Sequence, residues 1–262
     1  MASFKQSFCI PCFWEGREPE QIQTLIEAAA AIGFPAFEIH FRDDLPVEFI
    51  CQVARDQGMT IASMCGHHSL TEGLNTPENH ARIRDELLAS IELAAEHGIP
   101  NLICFSGNRN GKSDAECIGI CAEGLAPVTG AAEAAGVLLN IELLNSKVDH
   151  AGYQCDHTAW GVEVCRRTGS PNVKLLYDIY HMQIMEGDLC RTIAENIDYI
   201  GHFHTAGNPG RHDMDDTQEI YYPAVVRAIR ETGYDRYVGH EFGPKGDKLE
   251  GLERAFRLFE DA

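Results

Sequence analysis

Residues 131–144 read AAEAAGVLLNIELL, and the change of character at Gly136 decides the fold. Before the glycine the chain is rich in alanine and glutamate, which favour a helix. After it comes an apolar run of strand length. A glycine just past a helix end supplies the left-handed cap, and the β-rich run that follows reads as a buried strand. The same sentence is written five more times. Gly33 precedes AFEIHF, Gly58 precedes TIASMC, Gly98 precedes NLICFS, Gly169 precedes VKLLYD and Gly233 precedes RYVGHE. An opening strand over about Ser7 to Phe13 and the run YIGHFHTA at 199–206 bring the number of strands to eight.

The segments between the strands carry helix signals. Thr76-Pro77-Glu78 reads as an N-cap followed by proline at the first helical position. Ile83, Leu87, Ile91 and Ala94 then keep one apolar face until Gly98. Ile22, Leu25, Ile26 and Ala29 do the same for the first helix, and Val225, Val226 and Ile229 follow Pro223 in a late one. Strict alternation of strand and helix argues for a parallel sheet. Eight units without a dinucleotide fingerprint, a Walker-type phosphate loop or a G-x-S-x-G elbow favour a closed (β/α)8 TIM barrel. The length of 262 residues suits one such barrel, and no linker interrupts the series, so residues 1–262 are expected to form one domain.

Composition narrows the function. The formal net charge of −19 opposes a nucleic-acid or anionic-membrane partner. No apolar stretch approaches the roughly 20 residues of a spanning helix. MASFKQSFCIPCFWEG at the N-terminus lacks the basic region and apolar core of a signal peptide. A cytoplasmic protein is expected. Ten cysteines are too sparse for a disulfide scaffold and read as small core hydrophobes. Cys9-Ile-Pro-Cys12 is formally C-x-x-C, but it falls in an apolar first strand rather than a strand-to-helix turn, which argues against a redox or zinc role.

In a barrel of this kind the active site gathers at the C-terminal ends of the strands. Strand five ends at Glu142, strand six at Asp178, strand seven at His204 and strand eight at Glu241. One carboxylate at a strand end is commonly a cap or a loop anchor. Four potential ligands from four consecutive strands are not explained that way. Mutually repelling carboxylates need a cation between them or raised pKa values. Oxygen-rich ligation with one imidazole suits Mn²⁺, Mg²⁺ or Co²⁺ better than a thiolate-type zinc site.

Several stretches also resemble a known family. Tyr177-Asp178-Ile179-Tyr180-His181-Met182-Gln183 with Met185-Glu186-Gly187 is similar to the signature of hydroxypyruvate isomerases, in the xylose-isomerase-like barrel superfamily. So are Asn208-Pro209-Gly210-Arg211-His212, Glu142 with Asn145 and Asp149, and Glu241-Phe242 with Pro244. The resemblance implies that Glu142, Asp178, His204 and Glu241 hold the metal. Glu142 and Glu241 would flank the substrate carbon and move its proton through an enediolate. It implies that His181 bonds a substrate oxygen and that Arg211 offers its planar fork to a carboxylate or to vicinal hydroxyls. His68, after strand three, is a further candidate for the substrate pocket.

The chain departs from that pattern near the presumed substrate. Hydroxypyruvate isomerases usually carry Gln at His204, Asp at Gly207 and Lys at Gly243. Histidine at 204 is the ligand that ketose 3-epimerases of the superfamily use. A small hydroxy-oxo acid or sugar is thus the expected substrate, a ketose 3-epimerase the alternative, and a homo-oligomer the expected assembly. A metal-dependent phosphodiesterase acting on damaged DNA would need further histidines, at the fourth strand end and in a D-x-H pair. Cys104-Phe105-Ser106-Gly107 and Arg211-His212-Asp213-Met214-Asp215 supply neither. A non-catalytic sugar-binding protein would have no need of both glutamates.

Overall fold

The computed structural model describes residues 4–14 and 18–262. The N-terminal reading over residues 1–16 therefore lies partly outside the described residues. Eight parallel strands are β1 (Lys5–Phe8), β2 (Ala36–Glu38), β3 (Thr60–Cys65), β4 (Asn101–Cys104), β5 (Leu138–Glu142), β6 (Val173–Asp178), β7 (Ile200–Thr205) and β8 (Tyr237–His240). From β2 to β8 each pairs with its sequence neighbour, and β8 pairs with β1. Between β1 and β2 only a parallel bridge from Cys9 to Glu38 completes the ring. The result is a nearly closed (β/α)8 barrel.

The helices are α1 (Ile10–Phe13), α2 (Pro19–Ile32), α3 (Val47–Gln57), α4 (His80–His97), α5 (Asp114–Ala135), α6 (Thr158–Thr168), α7 (Ile179–Met185), α8 (Leu189–Asn196), α9 (Tyr222–Glu231) and α10 (Lys248–Asp261). Among the described residues none is long and apolar enough to cross a membrane. The apolar faces read from the sequence are the buried ones: Ile22, Ile26 and Ala29 on α2, Ile83, Leu87 and Ala94 on α4, Val225, Val226 and Ile229 on α9. All six capping glycines adopt positive φ, from 65° at Gly58 to 121° at Gly33.

Three local readings need correction. The opening strand stops at Phe8, because Pro11, which has no N–H to give a ladder, instead starts the short α1. Cys9 and Cys12 therefore do stand at a strand-to-helix turn. Burial nonetheless pushes the Cys12 thiol up to about 12 and the Cys9 thiol well above its ordinary range, so neither is poised as a thiolate. Pro77 begins a single 3₁₀ turn, Pro77–Asn79, and the α-helix proper starts at His80. Thr76 makes no cap; its hydroxyl donates to Asn75 Oδ1 at 3.1 Å. Strand two, read to Phe41, ends at Glu38 after a register shift between Phe37 and Glu38.

The loop after β3 is sewn to the loop after β4. Leu74 N–H donates to Phe105 O at 3.1 Å and Asn75 N–H to Ser106 O at 2.8 Å. This works because Gly73 lies flat on Gly107: a Cβ on Gly73 would stand 2.4 Å from Gly107 N and 2.5 Å from Phe105 O. Backbone cannot swing away as a side chain can. Gly73→Ala is thus expected to destabilise the protein by about 1–3 kcal/mol, as overpacking does. Gly130, exposed in α5 with nothing within 4 Å, should do the opposite. There alanine should gain about 0.5–1 kcal/mol. Urea unfolding midpoints that shift the same way for both variants would contradict this reading.

Candidate active site

Glu142 and Asp178 are the last residues of β5 and β6, His204 lies one residue before the end of β7, and Glu241 follows β8. Their exposures are 6%, 1%, 1% and 8%. Parallel pairing places Asp178 level with His204. One ligand atom from each of the four lies within 4.8 Å of the others. His204 Nδ1 stands 2.9 Å from Glu241 Oε2 and 3.8 Å from Glu142 Oε1.

Arg211 reaches into this group from the loop after β7. Its Nη2 is 2.7 Å from Glu241 Oε2 and 3.7 Å from Asp178 Oδ2. The backbone there is left-handed, φ 55°, in a residue that has a Cβ. Such a conformation survives only where neighbours hold it. The Arg211 carbonyl accepts from Gly243 N–H at 2.9 Å.

The environment divides the acids. Burial, then the charge of Glu241, pushes the Glu142 carboxyl up to about 8. Burial likewise raises Asp178, with Glu241 adding to it and Arg211 opposing. Burial works to raise Glu241 too, but Arg211 and His204 outweigh it and hold this carboxyl well below the usual range.

A divalent cation suits the group. Three carboxylates converge with one imidazole, and the buried His204 Nδ1 faces only carboxylate oxygens, those of Glu241 and Glu142. Oxygen-rich donors of this kind could hold Mn²⁺, Mg²⁺ or Co²⁺.

His181, in the first turn of α7, is fully buried beside Asp178, its Nε2 3.6 Å from Asp178 Oδ2. Its backbone N–H donates to Asp178 Oδ1 at 3.1 Å, so one carboxylate caps the helix and serves the site. Asn145 Nδ2 donates to His181 Nδ1 at 2.6 Å and to Asp149 Oδ2 at 2.7 Å. Burial, then Arg211, keeps the His181 pKa well below its ordinary value, so the ring is neutral.

A cavity of about 240 Å³ opens over the group. Its polar end is formed by His40, Glu142, His150, His204, Arg211 and Glu241. The apolar part of its wall is Phe41, Cys65, Leu70, Ile103, Phe105 and Leu144. Arg211 lines the cavity, but His181, like Asp178, does not, and neither does His68. Its ring stacks on Phe41 with centroids 5.2 Å apart and pairs with Asp43 at 2.8 Å, so Phe41 takes the place at the wall. His67 is structural: Phe105 N–H donates to its Nε2 at 2.9 Å, and its Nδ1 meets His68 O at 2.9 Å.

Three further residues join the site that sequence reasoning passed over. His40 Nε2 lies 3.3 Å from Glu241 Oε1. His150 lines the cavity with its Nε2 unpartnered. Glu38 touches His204 from below, 3.0 Å from its Nε2.

Comparison with known proteins places this barrel among isomerases. The chain belongs to the xylose isomerase-like TIM barrel family, whose sequence model matches residues 26–262. It is 33% identical to the 2-oxo-tetronate isomerase of Cupriavidus necator, over 86% of this chain and 88% of that one. It is 29% identical to the hydroxypyruvate isomerase of Escherichia coli, over 86% and 89%. Among solved structures an L-ribulose 3-epimerase superposes with a TM-score of 0.83 at 20% identity, over 98% of this chain and 95% of that one, a likeness of fold.

The raised Glu142 carboxyl has a consequence for stability. The folded metal-free chain keeps a proton that the unfolded chain releases, between the ordinary value 4.5 and about 8. Stability from this residue is therefore present below pH 4.5 and lost as pH rises through about 8. In chelator-treated protein, Glu142→Gln should gain stability relative to wild type as pH rises across that window. Parallel thermal-stability profiles would mean that Glu142 ionises normally.

Proposed function

We propose that the protein is a divalent-metal-dependent isomerase of a small hydroxy-oxo acid, of the hydroxypyruvate or 2-oxo-tetronate kind. The observation that carries this is the meeting of Glu142, Asp178, His204 and Glu241 in one cluster, three of whose members (Glu142, His204 and Glu241) line a small cavity together with Arg211. Glu142, Asp178, His204 and Glu241 would hold the ion. When bound, the ion supplies Lewis acidity that polarises a carbonyl and makes the adjacent C–H acidic.

The chain's residues do the rest. Glu142 and Glu241 both line the cavity, where one would take the proton from carbon and return it to the neighbouring carbon. A positioned carboxylate in a dry site contributes typically 10²–10⁴ in rate. Arg211 binds the substrate's carboxylate with its fork. His181, neutral and with Nε2 unpartnered, would donate to a substrate oxygen that reaches it, although the buried ring does not itself line the cavity. The apolar wall excludes water from the enediolate.

A ketose 3-epimerase is the second reading, since His204 stands where those enzymes carry their histidine ligand. It would use the same glutamates but return the proton to the same carbon. The cavity speaks against it: about 240 Å³ is below the roughly 300–1,000 Å³ of ordinary ligand pockets. Its apolar wall of Phe41, Leu70, Ile103, Phe105 and Leu144 has little to offer a polyhydroxyl tail. Against DNA phosphodiesterase chemistry, Asp213 is already engaged by Lys245 N–H at 2.7 Å and Arg254 Nη2 at 2.9 Å.

Chelation should abolish turnover and Mn²⁺ should restore it; full activity in chelated protein would remove the metal from the reaction. Proton NMR in D2O over hydroxypyruvate, tartronate semialdehyde, other 2-oxo acids and free ketoses separates isomerisation from epimerisation. Glu142→Gln and Glu241→Gln should each lower kcat by about 10²–10⁴. One of them should still exchange the substrate C–H with solvent. Near-normal turnover in both would show that neither carboxylate moves the proton.

A further inference from the structure

We infer that Glu38 is a positioning residue of the metal centre: from behind the barrel mouth its carboxylate fixes the His204 ring so that Nδ1 is the ligating atom. The inference rests on the metal reading above and names a part of the centre that lies outside its four ligands.

Glu38 ends β2 and is 0% exposed. Its Oε1 accepts the Ser7 hydroxyl at 2.6 Å. Its Oε2 lies 3.0 Å from Nε2 of His204 and 3.0 Å from Nε2 of His202. A buried carboxylate is tolerated only where donors surround it, and here the donors are one hydroxyl and two imidazoles.

The barrel wall is shaped around this group. On β8 a Cβ at Gly239 would come 2.0 Å from Glu38 Oε1, so that position has no room for a side chain. The backbone of Glu38 is pinned as well, by the bridge to Cys9 where β1 and β2 meet.

The consequence is chemical. An ionised carboxylate only accepts, so each Nε2 that it meets must carry the proton. A neutral His204 then has its lone pair on Nδ1, the atom that faces the carboxylates of Glu142 and Glu241 at 3.8 and 2.9 Å, where an ion would sit between them. A carboxylate behind a ligating histidine also makes the imidazole a stronger ligand. His202, two residues earlier on the same strand, shares the oxygen and stops it from turning away.

The test uses the purified full-length protein and Mn²⁺, with free ion counted by electron paramagnetic resonance and folding followed by thermal unfolding. Glu38→Gln should weaken Mn²⁺ binding by about 10–100-fold. Ser7→Ala, which touches only the other oxygen, should change it by less than about 3-fold, the spread expected of a context effect. In a His204→Gln background, Glu38→Gln should make no further difference, because the ring it positions is gone. Unchanged Mn²⁺ affinity in Glu38→Gln, or an equal loss in both backgrounds, would overturn the role. Should Glu38→Gln fail to fold, ¹⁵N-histidine spectra of the Mg²⁺-loaded wild type decide it. A proton on His204 Nε2 supports the role, and a proton on Nδ1 overturns it. A wild-type chain that binds no Mn²⁺ would instead remove the metal centre itself, and this role with it.

Discussion

Four carboxylates, Glu38, Glu142, Asp178 and Glu241, crowd the mouth and upper interior of the barrel, and among the described residues one guanidinium, that of Arg211, answers them there. Buried like charges cannot all ionise unless something compensates them. The local geometry follows that need. His204 is clasped between Glu38 on one ring nitrogen and Glu241 on the other. Glu142, left with the least compensation, is the acid whose pKa rises to about 8.

Delivering Arg211 also explains the shape of the loop after β7. Gly207 N–H donates to His212 O at 2.7 Å, folding the segment back on itself. A Cβ at Gly207 would stand 2.4 Å from Asp213 O, so the fold-back is closed tightly. Asp213, itself buried, ties the far end to Lys245 N–H and to Arg254 of α10. A helix on the outside of the barrel thus helps set a guanidinium at its mouth. The left-handed φ of Arg211 is the local strain that this tethering sustains.

The strand-end acids were legible because they close apolar runs, and a charge at the end of a buried strand has few reasons to be there. The helix caps were legible because glycine is the residue that takes positive φ cheaply. Glu38 was not. It sits inside AFEIHF, where a single acid in an apolar run gives no sign of which way it points, and the register shift at Phe37/Glu38 defeats simple alternation. His40 and His150 carry no local signal, since each acquires its role from a partner far along the chain, Glu241 for one and the cavity wall for the other. In the sequence His68 and His181 both read as pocket residues; in the structure His68 stacks behind the cavity-lining Phe41, and His181 is buried beside Asp178.

The same separation of near and far determines what the cavity can distinguish. The candidate ligands stand at the ends of β5 to β8, and the apolar lining comes from β4 and the loops after β2, β3 and β4 together with Leu144. On the proposed reading, chemistry and selectivity would be carried by different parts of one ring. Changes in the wall can resize the pocket without disturbing the charge balance that keeps Glu142 and Glu241 apart in pKa. Isomerisation and epimerisation need the same two carboxylates and differ only in where the substrate carbon rests between them. On the proposed reading, a wall that grips a short chain beside Arg211 would hold that carbon toward one glutamate, which would favour transfer to the neighbouring carbon over delivery to the opposite face.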